Sequence, residues 1–399
     1  MKILVITSRL PWPLDKGDKL RAYHQIRHLA ASHEIFLFCL TEPGGEGDNN
    51  DLSALKAITR GIKVQPLKRW RRWLRMAFAP LSTRPFQVHW FYQRPAHRAL
   101  NHWMREIEPD VVMCQLVRMA AYVQESHHVP RVLDYMDALS AGMARQSRLA
   151  RPSMRWIYRI EYRRLKAFES TVFDYFDGKT IISRADQKLI GHPENNHIDV
   201  VPNGIDTDFF SPSAATDEAA SPVLLFTGNM SYPPNVDAAK QLVFEVLPLL
   251  QADGLRIVIA GTNPAPEVKA LASSQVEVTG WIPDIRDAYA NATIFVAPLR
   301  IGTGQQNKIL EAMAMRLPCV TTQHVASGFP GPPDDAAPLR VANSAEGIAA
   351  EIEALLHDSE ARTALGSLSR QWVEKHCNWD ASTRALTDTF VESMSNELK

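Results

Sequence analysis

Cysteine is scarce in this 399-residue chain. Cys39, Cys114, Cys319 and Cys377 are the whole set, and no two form a C-x-x-C pair. That spacing argues against a zinc site and for buried, reduced thiols in a reducing compartment. Long apolar runs are missing as well. No segment approaches the roughly 20 residues that a bilayer-spanning helix needs. The apolar run at the start, Ile3 to Ile6, is too short for the core of a signal peptide. The expectation is a cytoplasmic protein that touches a membrane only at its surface, at the inner face of the cytoplasmic membrane. No repeat of solenoid period and no long low-complexity tract occurs. No charge sign dominates, with 44 Lys and Arg against 44 Asp and Glu. The balance conceals a division: residues 1–190 carry 31 cations and 18 anions, and residues 191–399 carry 13 and 26. A positive N-terminal half suits an anionic surface, substrate or partner. Mutual attraction between two oppositely charged domains is the other reading.

The composition, 45% hydrophobic and 22% charged, is that of a globular protein, and the length suggests two domains. Short apolar runs alternate with helical stretches. Strands are predicted at 3–7, 35–40, 63–66, 111–114, 131–134, 180–182 and 198–201. The pattern restarts at 223–226, 256–260, 276–278, 294–297, 319–322 and 339–341. Helices are predicted at 19–32, 153–176, 235–250, 267–273, 285–290, 306–317 and 345–356. This alternation implies an α/β chain with two doubly wound, Rossmann-like domains of parallel strands. The Pro-, Ser- and Asp-rich stretches around 191–196 and 211–222 mark the boundary. The expected division is 1–195, 196–375 and a C-terminal helical segment, 376–399, packing back on the first domain. In such sheets, ligands bind beyond the carboxyl ends of the strands.

The most informative stretch is 295–322. A buried strand ends at Pro298, a loop carries Gly302 and Gly304, and a helix begins near Gln306. Glycine lets backbone N–H groups approach a phosphate, and a helix N-terminus adds partial positive charge. Ile309, Leu310, Met313, Ala314 and Leu317 share one helical face, while Lys308 and Glu311 share the opposite one. That pair reads in two ways. It is a solvated ion pair worth a few tenths of a kcal/mol, or Lys308 meets a phosphate and Glu311 accepts from ribose hydroxyls.

Lys308-Ile-Leu-Glu311-Ala-Met-Ala, followed by Pro318-Cys-Val-Thr321, resembles the donor-site signature of family 4 glycosyltransferases of GT-B fold. Further matches are Val200-Val-Pro-Asn-Gly-Ile-Asp206, Phe226-Thr-Gly-Asn-Met230, Ile259-Ala-Gly261 and Val278-Thr-Gly-Trp-Ile-Pro-Asp284. The N-terminal Pro11-Trp-Pro-Leu-Asp-Lys-Gly-Asp-Lys19, with Arg21-Ala-Tyr-His24, is similar to the sugar transferases associated with PEP-CTERM/exosortase exopolysaccharide systems. The resemblance implies two Rossmann-like domains facing across a cleft and a retaining transfer of a sugar from a nucleoside diphosphate sugar. Donor contacts would come from Gly228, Asn229, Trp281, Ile282, Gly302, Thr303, Gly304, Gln305, Gln306, Lys308 and Glu311. Gly17, Lys308 and Glu311 would be the catalytic positions. Glu311 matches the second glutamate of the family's E-x7-E motif, which holds the donor ribose. Thr303 stands where the first should contact the sugar, so backbone around Gly302 to Gln306, or the amides of Gln305 and Gln306, would hold that ring. The family's diphosphate-clamping cations are missing from Gly228 to Asn235, which leaves Lys308, with Arg300 as a second candidate. No cofactor beyond the donor, and no metal, is expected.

Asp18, Lys19, Arg21, Asp134 and Asp137 are the acceptor-side candidates. Asp134 and Asp137 follow a strand, where they either position an acceptor hydroxyl or cap the next helix. Asp206-Thr-Asp208 spells the D-x-D of metal-dependent transferases, but its position reads as a turn. From Leu67 to Arg75 the chain reads Leu-Lys-Arg-Trp-Arg-Arg-Trp-Leu-Arg, with Trp70, Trp73 and Leu74 on one helical face. Such a segment suits an anionic membrane or a nucleic acid. The membrane is preferred, because a lipid-linked acceptor explains a basic acceptor half, and no nucleic-acid partner is expected. Three functions fit: a glycosyltransferase acting on a glycan or lipid-linked acceptor in exopolysaccharide biosynthesis, a nucleotide-sugar epimerase on the same fold, and a non-catalytic donor-binding scaffold.

Overall fold

The computed structural model describes residues 1–41, 52–212, 221–301, 305–331 and 335–396. The chain divides into two compact units, Met1–Val201 with Trp379–Lys399, and Pro202–Asn378.

Among the described residues, the first unit is built on a seven-stranded parallel sheet. Its strands are β1 (Lys2–Thr7), β2 (Glu34–Thr41), β3 (Gly61–Pro66), β4 (Val111–Gln115), β5 (Arg131–Asp134), β6 (Gly178–Ile181) and β7 (Asp199–Val200), in the order β3-β2-β1-β4-β5-β6-β7. Parallel strands covered on both faces read as continuous apolar runs. Alternate residues point to opposite faces. Leu4, Ile6, Phe38, Val112, Cys114 and Leu133 enter one core, and Ile3, Val5, Leu37, Cys39, Val111 and Val132 enter the other. The second core is completed by Leu386 and Phe390 of the helix Trp379–Asn396. That helix lies so close to β6 that a Cβ at Gly178 would meet Thr389 at 2.8 Å.

The helix Gly17–Leu29 is tied across the sheet by one ion pair. Arg21 donates Nε to Asp134 Oδ2 at 2.7 Å and Nη2 to Oδ1 at 3.1 Å, and both side chains are 0% exposed. Thr180 Oγ1 and the Met136 N–H also donate to Asp134 Oδ1.

The second unit, among the described residues, has a six-stranded parallel sheet: β8 (Val223–Thr227), β9 (Arg256–Ala260), β10 (Val276–Gly280), β11 (Ile294–Ala297), β12 (Cys319–Thr321) and β13 (Arg340–Val341), in the order β10-β9-β8-β11-β12-β13. Its one core runs from Leu224 and Phe226 through Phe295, Leu310 and Met313 to Ile348 and Trp372. Strand order reverses between β8 and β11, so the segments leaving these strands diverge and open a crevice at their carboxyl ends.

The observed strands lie within two residues of those expected from the sequence. Several helices do not. The helix expected over 235–250 is α-helical only at Pro233–Gln241. It passes into a π turn at Leu242–Val246 and a 3₁₀ turn at Leu247–Leu249, where Pro248 has no N–H for the helix ladder. The helix expected over 267–273 is the single turn Pro266–Lys269. Helices Arg94–Ile107, Leu139–Leu149 and Ser359–His376 went unassigned in the sequence. Residues 196–201, expected after the domain boundary, supply β7 to the first unit. All four cysteines are buried and outside disulfides.

Removing one partner of a buried ion pair strands the other charge, at a cost of about 3–5 kcal/mol, whereas replacing both by apolar groups is far milder. Urea unfolding of Arg21→Met should show that loss in the first unit. The double variant Arg21→Met/Asp134→Leu should recover most of it.

Candidate functional site

In the second unit, the described donor-side residues lie on the segments that follow β8, β10 and β11. The helix Asn307–Ala314 follows β11 and buries Ile309, Leu310 and Met313 in the core. That face fixes the helix roll and leaves Lys308 and Glu311 half-buried at its start. Lys308 reaches toward β8: its ammonium donates to Asn235 Oδ1 at 2.6 Å and lies 4.8 Å from the centre of the Phe226 ring. Asn235 Nδ2 donates to Asn229 O at 2.9 Å, which ties the segment after β8 to the same group.

Gly228 leaves the room for this arrangement. Its φ is +149°, and a Cβ there would lie 2.9 Å from Lys308 Nζ and 2.7 Å from Asn235 Nδ2. The neighbouring Gly261 is under a tighter constraint. A Cβ at Gly261 would come 1.8 Å from Gly228 O, a separation no side chain can occupy.

Glu311 is oriented from the other side. Tyr289, wholly buried, donates its hydroxyl to Glu311 Oε2 at 2.7 Å and sits 2.9 Å from Thr227 Oγ1. Lys308 and Glu311 both move toward their neutral forms. Desolvation lowers the Lys308 ammonium to about 7, against the opposing pull of Glu311. Desolvation raises the Glu311 carboxyl, although Tyr289 and Lys308 oppose the rise. Burial therefore outweighs the mutual attraction of the pair. The arrangement suits an anion with a hydroxylated group beside it: the ammonium and the helix N-terminus face the anion, and a fixed carboxylate accepts from hydroxyls.

The remaining donor-side positions are placed as follows. Trp281 is exposed on the segment after β10, and Ile282 packs partly on the core. Gln306 is the N-cap residue of the helix Asn307–Ala314. Gln305 is buried, and its amide is committed to the main chain of Asn203: Oε1 accepts from the N–H at 2.7 Å and Nε2 donates to the carbonyl at 3.2 Å. The expectation that this amide holds a ligand is corrected accordingly. Arg300, a second candidate for a diphosphate, is instead held between Asp237 and Glu245, each at 3.1 Å. Gly302, Thr303 and Gly304 lie outside the described residues. Asn235 and Tyr289 were missed in the sequence. Asn235 carried only a weak signal, as a polar residue just after Pro233-Pro234, and Tyr289 carried none beyond membership of a short helix.

In the first unit, Gly17 opens the helix Gly17–Leu29, and a Cβ there would meet nothing within 4 Å. Asp18 lies between Arg118 Nη2, at 3.1 Å, and Arg9 Nη1, at 3.4 Å. Arg118 was not singled out in the sequence. It also donates Nε to Ser8 Oγ and lies over the Phe91 ring. Lys19 is buried and pairs with Asp15 at 2.6 Å. Arg21 and Asp134, expected on the acceptor side, are each other's partners with no exposed surface, so neither side chain meets an acceptor directly. Asp137 is half-buried, and its Oδ1 has no hydrogen-bond partner. Desolvation, then Asp186, pushes its carboxyl up to about 7 against the pull of Arg118 and Arg145. The next helix, Leu139–Leu149, has no side-chain cap, so the capping reading of Asp134 and Asp137 fails. Ser140 N instead donates to Glu169 Oε1 at 2.9 Å. The D-x-D segment is a turn, with Phe209 N donating to Asp206 Oδ1. Among the described residues, no group of three or more His, Cys, Asp or Glu is placed to hold a metal.

Residues 221–358 match the family described as Glycosyl transferases group 1. No curated sequence relative matches the chain. Solved structures share its fold over nearly the whole length. HepE of Anabaena in complex with UDP has a TM-score of 0.70 at 13% identity, covering 98% of this chain and 100% of that one. Sucrose-phosphate synthase from Thermosynechococcus elongatus has a TM-score of 0.72 at 14% identity, covering 99% and 100%. The lipopolysaccharide outer core galactosyltransferase WaaB, in its apo form, has a TM-score of 0.64 at 15% identity, covering 98% and 99%. The architecture, two units with parallel Rossmann-like sheets, is the GT-B fold.

An anion bound at Lys308 favours the ammonium and raises its pKa above about 7. Binding therefore takes up a proton above that pH, and affinity for a diphosphate should fall as pH rises from about 7 toward 9. Calorimetry in two buffers of different ionisation enthalpy should show the proton uptake, and Lys308→Met should abolish it.

Proposed function

We propose that this chain is a glycosyltransferase that moves a sugar from a nucleoside diphosphate sugar to a glycan or lipid-linked acceptor. The carrying observation is the Lys308–Glu311 pair at the carboxyl ends of β8 and β11, desolvated and fixed by Asn235 and Tyr289. The group 1 family match spans this site, and HepE of similar fold has been solved with UDP and with UDP-glucose. As the anomeric bond breaks, negative charge develops on the diphosphate. Lys308 and the helix N-terminus face that charge, and a desolvated ammonium stabilises it more than a hydrated one does. Glu311 accepts from the ribose hydroxyls and sets the position of the diphosphate relative to Lys308. Asp137, with its carboxyl near neutrality, is the acceptor-side residue suited to exchange a proton with a hydroxyl. Retention of configuration, hexosyl transfer and a place in exopolysaccharide biosynthesis follow from the sequence resemblance and complete the reading. The donor is its only co-substrate besides the acceptor.

Thr303 favours a second reading, binding of the donor without turnover, because the resemblance puts a sugar-contacting glutamate there. The two part on one measurement. A ligand that binds only the folded protein stabilises it by about 2.7 kcal/mol at a hundredfold excess over Kd. Melting curves with UDP, GDP and their sugar conjugates should show such a shift for one base, lost in Glu311→Ala. Release of the matching nucleoside diphosphate only when acceptor is added supports transfer, and a shift with no release under any acceptor supports the scaffold. Flat melting curves for every nucleotide would refute both.

A further inference from the structure

One helix of the first unit is turned inside out. The helix Arg69–Phe78 follows β3, and guanidinium groups make up much of its inward side. Arg72 is buried, lies 4.1 Å over the Trp90 ring and donates Nε to Trp90 O at 3.4 Å. Arg75 lies 4.8 Å over the Tyr92 ring. The outward side carries Trp70, Trp73, Leu74 and Phe78, spaced along one helical face, and the turn Ala79–Leu81 adds Leu81. Their exposures are 61, 67, 52, 61 and 87%. A helix facing water is patterned the other way round, and clustered exposed apolar side chains of this size mark an interaction surface.

The helix Pro152–Phe173 is fastened to that turn. Arg164 Nη1 donates to Ala79 O at 2.9 Å and Nη2 to Pro80 O at 3.2 Å, while Glu161 accepts from Phe86 N and Gln87 N. This helix exposes Met154 and Trp156 beside Arg155 and Arg159. Its two acids, Glu161 and Glu169, are buried. The charge is one-sided. Residues 52–105 contain 12 Lys and Arg and not one Asp or Glu.

We propose that this face of the first unit docks on an anionic bilayer surface, with the exposed aromatic and aliphatic side chains among the acyl chains and the arginines among the headgroup phosphates. Tryptophan favours that interface, and juxtaposed cations add attraction to anionic lipid. Single-stranded nucleic acid would use the cations and rings, but it gives Leu74, Leu81 and Met154 nothing apolar to cover them. Among the described residues, no helix is long and apolar enough to cross a membrane, so the contact is peripheral. The inference stands on the first unit alone and is tested without nucleotide, so it can fail independently of the transfer reading.

The test is flotation of the full chain with vesicles of phosphatidylcholine, with and without phosphatidylglycerol. Binding is expected only with the anionic lipid, weakening as salt rises. The variant Trp70→Ser/Phe78→Ser/Leu81→Ser should bind at least about tenfold more weakly while keeping the native far-ultraviolet circular dichroism and melting temperature. Arg69→Glu/Arg155→Glu, at exposed positions, should weaken binding in low salt. Four results would overturn the proposal: no flotation with either vesicle, equal binding to both, undiminished binding by the folded triple variant, or a self-association or single-stranded RNA complex that the triple variant abolishes in place of lipid binding.

Discussion

Lys308 keeps an ammonium out of water in a slot that runs against the bare backbone of Gly228. Taking a charge out of water is costly unless a partner compensates, and Glu311 compensates incompletely, since the pair moves toward neutrality from both ends. The geometry around it preserves that tension. Phe226 presents a ring, Asn235 a single carbonyl oxygen and Tyr289 a hydroxyl directed at the carboxylate, not at the ammonium. None of these supplies a full negative charge. A ligand that does so restores the charged lysine, and the favourable interaction grows as charge builds on the ligand. A site poised in this way spends its electrostatics where a reaction develops charge.

The same slot explains why two glycines stand side by side in space though 33 residues apart in sequence. β8 and β9 are neighbours, and the chain leaves each strand through a glycine with positive φ. Gly261 gives way to Gly228 O, and Gly228 gives way to Lys308 and Asn235. The turns that leave β8 and β9 therefore pack backbone against backbone. The N–H groups of both glycines are already spent, Gly228 N on Ala260 O and Gly261 N on Gly280 O, so an anion entering here would be met by Lys308.

The strands were legible because a parallel sheet covered on both faces demands unbroken apolar runs, and Ile3 to Ile6 or Ile294 to Ala297 can hardly be read otherwise. The Lys308–Glu311 pair was legible because the apolar stripe fixes the opposite face of a short helix. What stayed hidden depends on contacts distant in sequence. Tyr289 lies 22 residues from Glu311, and Asn235 lies 73 from Lys308. Nothing local marks Tyr289, and only the preceding Pro233-Pro234 marks Asn235. Arg21 and Asp134 sat at plausible functional positions, yet 113 residues of chain bring them together as a buried strut. Position at a strand's carboxyl end shows where a ligand can come. Burial decides which side chains there can meet it.

The charge division of the chain also changes meaning once the fold is known. The count of cations over anions in residues 1–190 treats every charge as equal, and burial takes Asp134, Glu161, Glu169 and Asp186 from one side and Lys19, Arg21, Arg72 and Arg131 from the other. Most of the cations on the helices Arg69–Phe78 and Pro152–Phe173 stay partly or fully exposed, with Arg72 the buried exception. The field outside these helices is therefore positive. Water screens exposed charges over about 8–10 Å at physiological salt, so this field acts on what comes close. The inverted helix supplies the short-range counterpart, an apolar face ringed by the cations that would draw an anionic surface to it.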